Sequence, residues 1–575
     1  MMADQIQAIT VAFDVPATLR DGIILRANIY RPAGEGRWPV LLTRLPYGKD
    51  LPLGSSALNP VQAARRGYVV IVQDTRGRAR SEGEWYPFQH EADDGFDSIA
   101  WAAGLSYADG QVGMYGGSYF GFTQWAAATL EPPALKAMVP NITWSDPFNG
   151  LSYRGGVFEL GTVASWNLRM GLDVLVRRYG QDPGALGRGI VALCREIDGL
   201  GSQGYRSLPL TEFAPLRRQD VAPAFFDEVA TPLDRRRGLP WTIQGKHERV
   251  QAPAFNVGGW YDIFLAGTIA NFAAMRALGR PTKLLIGPWT HGGTSNPVGE
   301  RNFGFGAQAG FINYQTDFDG LQLRWFDHWL KGIDSGLMAE PPIKLFIMGA
   351  NVWRDEQEWP LARAVDAAYY LHEGGRLDRQ LPGDEPADHY DDDPANPVPT
   401  RGGALHMTPE YPAGPYDQRA VEARSDMLVY TTAPLERDTE VTGPITVYLW
   451  ATSSAPDTDF VARLTDVFPD GRSINLTDGI IRARYRDFAQ GAPPSLIEPG
   501  RPYEYTIDLW ATSNVFQAGH RIRLQVTSSC FPRWERNPNT GHRFGADAEL
   551  RVAHQHVLHD REHPSHVVLP VVDGT

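Results

Sequence analysis

At 575 residues the chain is too long for a single hydrophobic core, so about three domains are expected. Hydrophobic residues at 43% and charged residues at 21% are those of an ordinary globular protein, and a formal net charge of −13 argues against a nucleic-acid partner. Only Cys194 and Cys530 are present, in neither a CxxC nor a Cys/His pattern, which argues against a disulfide framework or a structural zinc site and fits a reducing cytoplasm.

Met1 to Ala12 has no basic n-region and no apolar h-region, so no signal peptide is expected; no run of about 20 apolar residues predicts a membrane span. Residues 1–144 then alternate strand and helix signals. Val11 to Val15, Leu25 to Tyr30, Val40 to Arg44, Tyr68 to Gln73, Val112 to Tyr115 and Leu135 to Pro140 are short strand-like runs. Helical stretches lie near Pro60 to Arg66, Glu91 to Gly104 and Ser118 to Leu130. Short apolar runs between helices predict a mostly parallel sheet covered on both faces. The acidic group from Glu91 to Asp94 reads as capping and solvation at a helix start.

Residues 145–240 lose the strand runs, and Val163 to Tyr179 and Ala185 to Leu200 have helical spacing, so a helical lid is predicted there. The basic run Arg235 to Arg237 reads as a solvated face. Strands resume at Ala252 to Val257, Lys283 to Ile286 and Ile343 to Met348, with helices at Ile263 to Leu278 and Phe318 to Leu330; residues 241–352 are thus the second half of the α/β core. From 353 to 575 helices nearly vanish. Short strand runs alternate with Gly/Pro/Asp-rich loops such as Leu381 to Pro399, the pattern of an antiparallel jelly roll.

The stretch Val112-Gly-Met-Tyr-Gly-Gly-Ser118-Tyr-Phe-Gly121 reads as strand, sharp turn and helix, with Ser118 at the turn. Such a turn lifts a serine hydroxyl clear of the sheet and brings it beside a helix N-terminus. Phe120 occupies the last glycine slot of G-x-S-x-G, and a helix N-cap serine is the alternative reading. A nucleophilic serine needs a base and an orienter, in the chain order Ser, then Asp or Glu, then His. Asp262 follows the strand run ending at Tyr261, and His291 follows the one ending at Thr290. Asp74 precedes Ser118 in sequence, and Asp74-Thr-Arg76-Gly77 reads as structural, with Arg76 an ion-pair partner. His559, His563 and His566 cluster without a matched carboxylate, so no metal and no cofactor are expected.

With the pieces Arg20-Asp-Gly22, Gln73-Asp-Thr-Arg-Gly77, Gly116-Gly-Ser-Tyr-Phe-Gly121, Gly259-Trp-Tyr-Asp262, Gly287-Pro-Trp-Thr-His291 and Val467-Phe-Pro-Asp-Gly471, the chain resembles, nearly end to end, the family of bacterial cocaine esterase, X-prolyl dipeptidyl-peptidases and α-amino-acid ester hydrolases. The resemblance implies an α/β-hydrolase core with an inserted helical lid and a C-terminal all-β jelly roll. It implies Ser118 as nucleophile, His291 as base then acid, and Asp262 holding the imidazole. It also implies an oxyanion hole from the Tyr47 hydroxyl and the Tyr119 backbone N–H, and a dimer or larger assembly. Tyr47 follows the run Val40 to Arg44, the place from which this fold draws its second donor.

Three functions compete at this point. A carboxylesterase acting on a small-molecule ester would use Phe120, Trp166 and Phe264 for a small or aromatic acyl group. An amino-acid ester hydrolase or X-prolyl aminopeptidase would need a carboxylate for the substrate ammonium. Asp146 is a candidate for that carboxylate and equally an N-cap before Pro147. A non-catalytic binding protein is disfavoured by the intact Ser118/Asp262/His291 set.

Overall fold

The computed structural model describes residues 8–218, 220–230, 239–312 and 316–572; the basic run 235–237 lies outside the described residues. In chain order the first sheet and its insertion comprise β1 (Ile9–Thr18), β2 (Ile24–Pro32), β3 (Trp38–Leu45), β4 (Val69–Asp74), β5 (Ala108–Gly117), β6 (Leu135–Asn141), β7 (Tyr153–Arg154), β8 (Val157–Phe158), β9 (Ala254–Tyr261), β10 (Thr282–Thr290), β11 (Ile343–Ile347) and β12 (Val352–Glu356). Every residue of β4 and of β9 is buried, as strands become when helices cover both faces of a sheet. The ten-stranded order is β1-β2-β4-β3-β5-β6-β9-β10-β11-β12. Pairing is parallel from β4 through β11 and antiparallel at both edges, where β1–β2–β4 and β11–β12 turn back. Strand β12 therefore carries this sheet past the break expected after residue 352.

The insertion is dominated by helices Leu160–Tyr179, Pro183–Gly199 and Pro223–Ala230. It is not strand-free, however. Tyr153 pairs with Phe158 and Arg154 with Val157 across the turn Gly155-Gly156. Both glycines have positive φ, the requirement of a tight hairpin turn that periodicity does not register. A side chain at Gly155 would overlap the Ile480 carbonyl, so this hairpin presses directly on the C-terminal region.

That region forms an eleven-stranded β-sandwich, its strands antiparallel except for one short parallel pairing. In Thr439–Ser453 the inward positions Ile445, Val447, Leu449 and Ala451 are fully buried at period two. One expected loop is a strand. Asp388–Asp392, inside the Gly/Pro/Asp-rich stretch 381–399, pairs antiparallel with Ala553–Leu558. Three aspartates give it poor strand propensity, and the burial of Tyr390, whose hydroxyl shares a 2.8 Å hydrogen bond with Ser528 Oγ, overrides that propensity.

The acidic group at the start of helix Glu91–Ala103 also departs from expectation. Glu91 and Asp94 are only 4% and 3% exposed, so they are not a solvated cap. Glu91 pairs at 3.0 Å with Arg44, which is fully buried, and Asp94 pairs at 2.6 Å with Arg76. Arg76 also reaches Asp21, while Asp74 is met by Lys49. No helix of the described residues is long and apolar enough to cross a membrane. Replacing Arg44 by Met leaves Glu91 with no cation in contact among the described residues, and removing one partner of a buried pair costs about 3–5 kcal/mol. Urea unfolding of Arg44→Met is expected to show a loss of that size, whereas an exposed pair such as Arg501–Glu498 contributes at most about 1 kcal/mol.

Candidate active site

Ser118 sits between β5 and the helix Tyr119–Ala128 with φ 58° and ψ −124°. This conformation costs a non-glycine residue about 1–3 kcal/mol and persists only where the surroundings impose it. The Ser118 N–H donates to the carbonyls of Asn141 (3.0 Å) and Ile142 (3.1 Å). Its own carbonyl accepts from the N–H groups of Gly121 and Phe122 and from the Thr143 hydroxyl. Two glycines make room. A Cβ at Gly116, where φ is +130°, would lie 2.1 Å from the Phe120 ring, and one at Gly121 would lie 2.8 Å from the Asn141 carbonyl oxygen. Phe120 is thus compatible with the turn because its ring lies over Gly116.

Asp262 and His291 lie immediately beyond β9 and β10, at the same edge of the sheet as Ser118. The His291 ring bridges them: Nδ1 is 2.7 Å from Asp262 Oδ2, and Nε2 is 2.9 Å from Ser118 Oγ. Asp262 is fully buried, and its other oxygen accepts the Phe264 N–H at 2.7 Å, which fixes the carboxylate plane. Tyr47 follows β3, and its hydroxyl accepts the Trp166 indole N–H at 3.3 Å. Burial raises the Tyr47 pKa, opposed by hydrogen bonding to Trp166 and Ser118, so the hydroxyl stays protonated. Tyr119 occupies the first helical position, where a backbone N–H has no intrahelical acceptor. The Tyr119 hydroxyl donates to Glu91 Oε1 at 2.7 Å and accepts the Phe88 N–H at 3.0 Å.

Two cavities meet at Ser118. One is enclosed by aromatic side chains, Phe88, Trp144, Trp166, Trp241 and Phe264 among them. Trp166 stacks on Phe88 with centroids 5.7 Å apart, and Phe264 meets His291 edge-on at 5.1 Å. The other is a cleft of about 1040 Å³ between Tyr47, the Ser118 turn and the lid helix Leu160–Tyr179. Of the three candidate pocket residues, Trp166 and Phe264 line the aromatic cavity, while Phe120 faces the cleft and packs edge-on against Tyr47.

Sequence reasoning missed His406. It comes from the region assigned to the jelly roll, lines both cavities and packs 4.6 Å from the His291 ring. Burial, reinforced by His291 and Arg169, pushes its pKa well down, so it stands neutral beside His291. No spacing relative to Ser118, Asp262 or His291 marks it. Arg169, on the lid helix, was missed as well and lines the cleft. The remaining candidates are engaged elsewhere. The Asp146 carboxylate accepts the Phe148 N–H as an N-cap before Pro147. Asp74 accepts the Lys49 N–H at 2.6 Å, and burial pushes its pKa up to about 6. His559 contacts Asp388, His563 contacts Asp560, and His566 contacts the Pro564 carbonyl, each a separate partner.

A family model described as X-Pro dipeptidyl-peptidase (S15 family) matches residues 21–293, and one described as X-Pro dipeptidyl-peptidase C-terminal non-catalytic domain matches residues 335–568. Cocaine esterase of Rhodococcus sp. (strain MB1 Bresler) is 37% identical, covering 98% of this chain and 99% of its own. A protein named as a serine esterase in Mycobacterium tuberculosis is 28% identical, covering 96% and 94%. Among solved structures, an α-amino acid ester hydrolase superposes with a TM-score of 0.80 at 25% identity over 99% of this chain and 98% of that one. An aminopeptidase from a marine sediment Thaumarchaeota archaeon has the same fold, with a TM-score of 0.76 at 24% identity over 100% and 98%.

The Gly121 contact generates a test of the turn. Gly121→Ala pushes the helix off the end of β6, and with it Ser118 off its two carbonyl partners. A displacement of about 1 Å at a reacting atom lowers rate on the order of 10²-fold, while overpacking costs only about 1–3 kcal/mol of stability. Ester turnover is therefore expected to fall far more than thermal stability. Gly187→Ala, at an exposed position inside the lid helix Pro183–Gly199 with open space around it, is expected to leave turnover unchanged and to raise stability by about 0.5–1 kcal/mol.

Proposed function

The chain belongs to the X-Pro dipeptidyl-peptidase (S15) and cocaine esterase family of serine hydrolases, and we propose that it hydrolyses carboxylic esters through an acyl-enzyme on Ser118. The observation that carries this reading is the continuous Asp262–His291–Ser118 hydrogen-bond chain ending on a strained turn. His291 Nε2 takes the Ser118 proton as Oγ attacks the ester carbonyl carbon, and the C=O π pair moves onto oxygen. The Tyr47 O–H and the Tyr119 N–H stabilise that oxyanion. Because the Tyr47 oxygen already accepts from Trp166, its own proton is available to donate. Collapse breaks the C–O bond, and the alkoxide leaves with the proton from His291. Water, deprotonated by His291, then attacks the acyl carbon, and Ser118 recovers its proton on release of the acid. Asp262 holds the Nδ1–H tautomer throughout.

The acyl group is assigned to the aromatic cavity, whose walls suit a benzoyl-sized or smaller apolar group. Such a reaction takes no cofactor and no metal. The cytoplasm is assigned on the free thiols of Cys194 and Cys530, and a homodimer or larger assembly on the family resemblance alone.

One observation favours a second reading, an amino-acid ester hydrolase. Among the described residues that line the aromatic cavity, Glu228 is the single Asp or Glu, the residue type that a substrate ammonium requires. A phenylglycine ester cleaved with a higher kcat/KM than the phenylacetic ester of the same alcohol would support that reading; equal or lower values are expected.

A fluorophosphonate probe is expected to label the wild-type protein and not Ser118→Ala; labelling that survives in the variant would place the nucleophile elsewhere. Tyr47→Phe keeps the ring and its packing. It is expected to lower kcat on the order of 10²–10³-fold with a much smaller change in KM, the signature of a bond that tightens in the transition state. A variant retaining about half of the wild-type kcat would remove Tyr47 from the oxyanion hole.

A further inference from the structure

Arg169 follows Trp166 by three positions on the lid helix Leu160–Tyr179, which puts the two side chains on one face. Trp166 reaches the Tyr47 hydroxyl, and Arg169 continues that face over the cleft. It also lines an adjoining depression of about 430 Å³, and His406 lies on the wall of both. The other cations on the cleft are committed. Arg78 pairs with Asp173 at 3.3 Å, and Arg80 pairs with Asp14 and Asp50. Among the described residues Arg169 has no carboxylate within 4 Å, and it is exposed to the cleft. A guanidinium on the wall of the cleft that Ser118 and His291 also line, in a chain of net charge −13, is a local positive potential for whatever enters. The outer cleft wall carries the exposed side chains of Leu51, Leu53, Leu172 and Val176, and its two carboxylates, Asp50 and Asp173, are the ones paired with Arg80 and Arg78. The aromatic cavity, by contrast, has no Arg or Lys among its described lining residues.

We propose that Arg169, with His406 beside it, is a specificity-determining site for a carboxylate on the alcohol side of the ester, so that the preferred substrates join an apolar or aromatic acyl group to an apolar alcohol ending in an anion. The proposal rests on the acyl-enzyme reading and on placing the acyl group in the aromatic cavity. The planar guanidinium is suited to bidentate recognition of a carboxylate, while neutral His406 adds no competing anion. Hydrolysis then releases the hydroxy-carboxylate with its anionic group still in the cleft.

The test uses three benzoate esters of substituted phenols, 4-(carboxymethyl)phenyl, its neutral 4-(carbamoylmethyl)phenyl counterpart and a 4-(trimethylammoniomethyl)phenyl cation, with each kcat/KM divided by the hydroxide-catalysed rate constant of the same ester because the ammonium substituent makes its phenol a better leaving group. The wild-type protein is expected to favour the anion over the neutral ester on the order of 10-fold in kcat/KM, the worth of a hydrogen-bonded charge. That ratio is expected to shrink as salt is raised. Arg169→Gln is expected to bring the ratio close to one, Arg169→Lys to keep part of it, and Arg169→Glu to turn the preference toward the cation. A wild-type ratio near one, or a tenfold ratio that survives Arg169→Gln, overturns the Arg169 assignment while leaving the esterase reading intact. No turnover of the neutral ester together with no labelling of Ser118 overturns the acyl-enzyme reading, and the Arg169 assignment falls with it.

Discussion

The Ser118 backbone is the constraint on which the site depends. Its φ of 58° is held by two carbonyls at the end of β6 and just beyond it, and by the close approach permitted at Gly116 and Gly121. A serine in an ordinary N-cap conformation would point along the helix start instead of toward His291. The strain, about 1–3 kcal/mol, is supported by the surrounding sheet, so the hydroxyl is positioned before any substrate arrives. Asp262 and His291 need no comparable distortion, because each is simply the next residue after a parallel strand whose end already faces the Ser118 turn.

Buried charges fix the surroundings of that turn. Arg44 on β3 holds Glu91, and Glu91 accepts the Tyr119 hydroxyl, so one ion pair links the core of the sheet to the residue that follows the serine. On the opposite side, Arg154 of the lid hairpin stacks 3.8 Å from the Trp510 ring and donates to the Asp508 carbonyl, while Glu159 accepts the Trp534 indole N–H. These contacts seat the lid on the β-sandwich. The cavity between lid and core is then set by all three regions, which is why His406 can belong to the site although it lies far beyond the hydrolase strands in sequence.

The two cavities differ in the way their walls treat charge. Around the aromatic cavity the side chains are stacked rings, an apolar wall in which electrostatic interactions are stronger than in water. The cleft is open, with Arg169 on one wall and exposed leucines on another. Tyr47 and Trp166 line both cavities, so the phenol and the indole that donates to it lie where the two cavities join.

The α/β character and the succession of Ser118, Asp262 and His291 were legible in the chain because their signals are local: an apolar run with the candidate residue at its end, through a glycine turn for Ser118 and directly for Asp262 and His291. The expected elements Val40 to Arg44, Val112 to Tyr115 and Lys283 to Ile286 all lie within strands for the same reason. What depends on distant neighbours was not legible. Glu91 and Asp94 look like a solvated helix start until Arg44 and Arg76 are packed against them. Asp388–Asp392 looks like a loop until Ala553–Leu558 pairs with it, and β12 joins the first sheet only because β11 is beside it. The sides taken by Phe120 and Trp166, and the arrival of His406 and Arg169 at the site, follow from the packing of lid, core and sandwich. Periodicity along a chain records which face of an element is apolar, whereas a site assembled from three regions is decided by which faces meet.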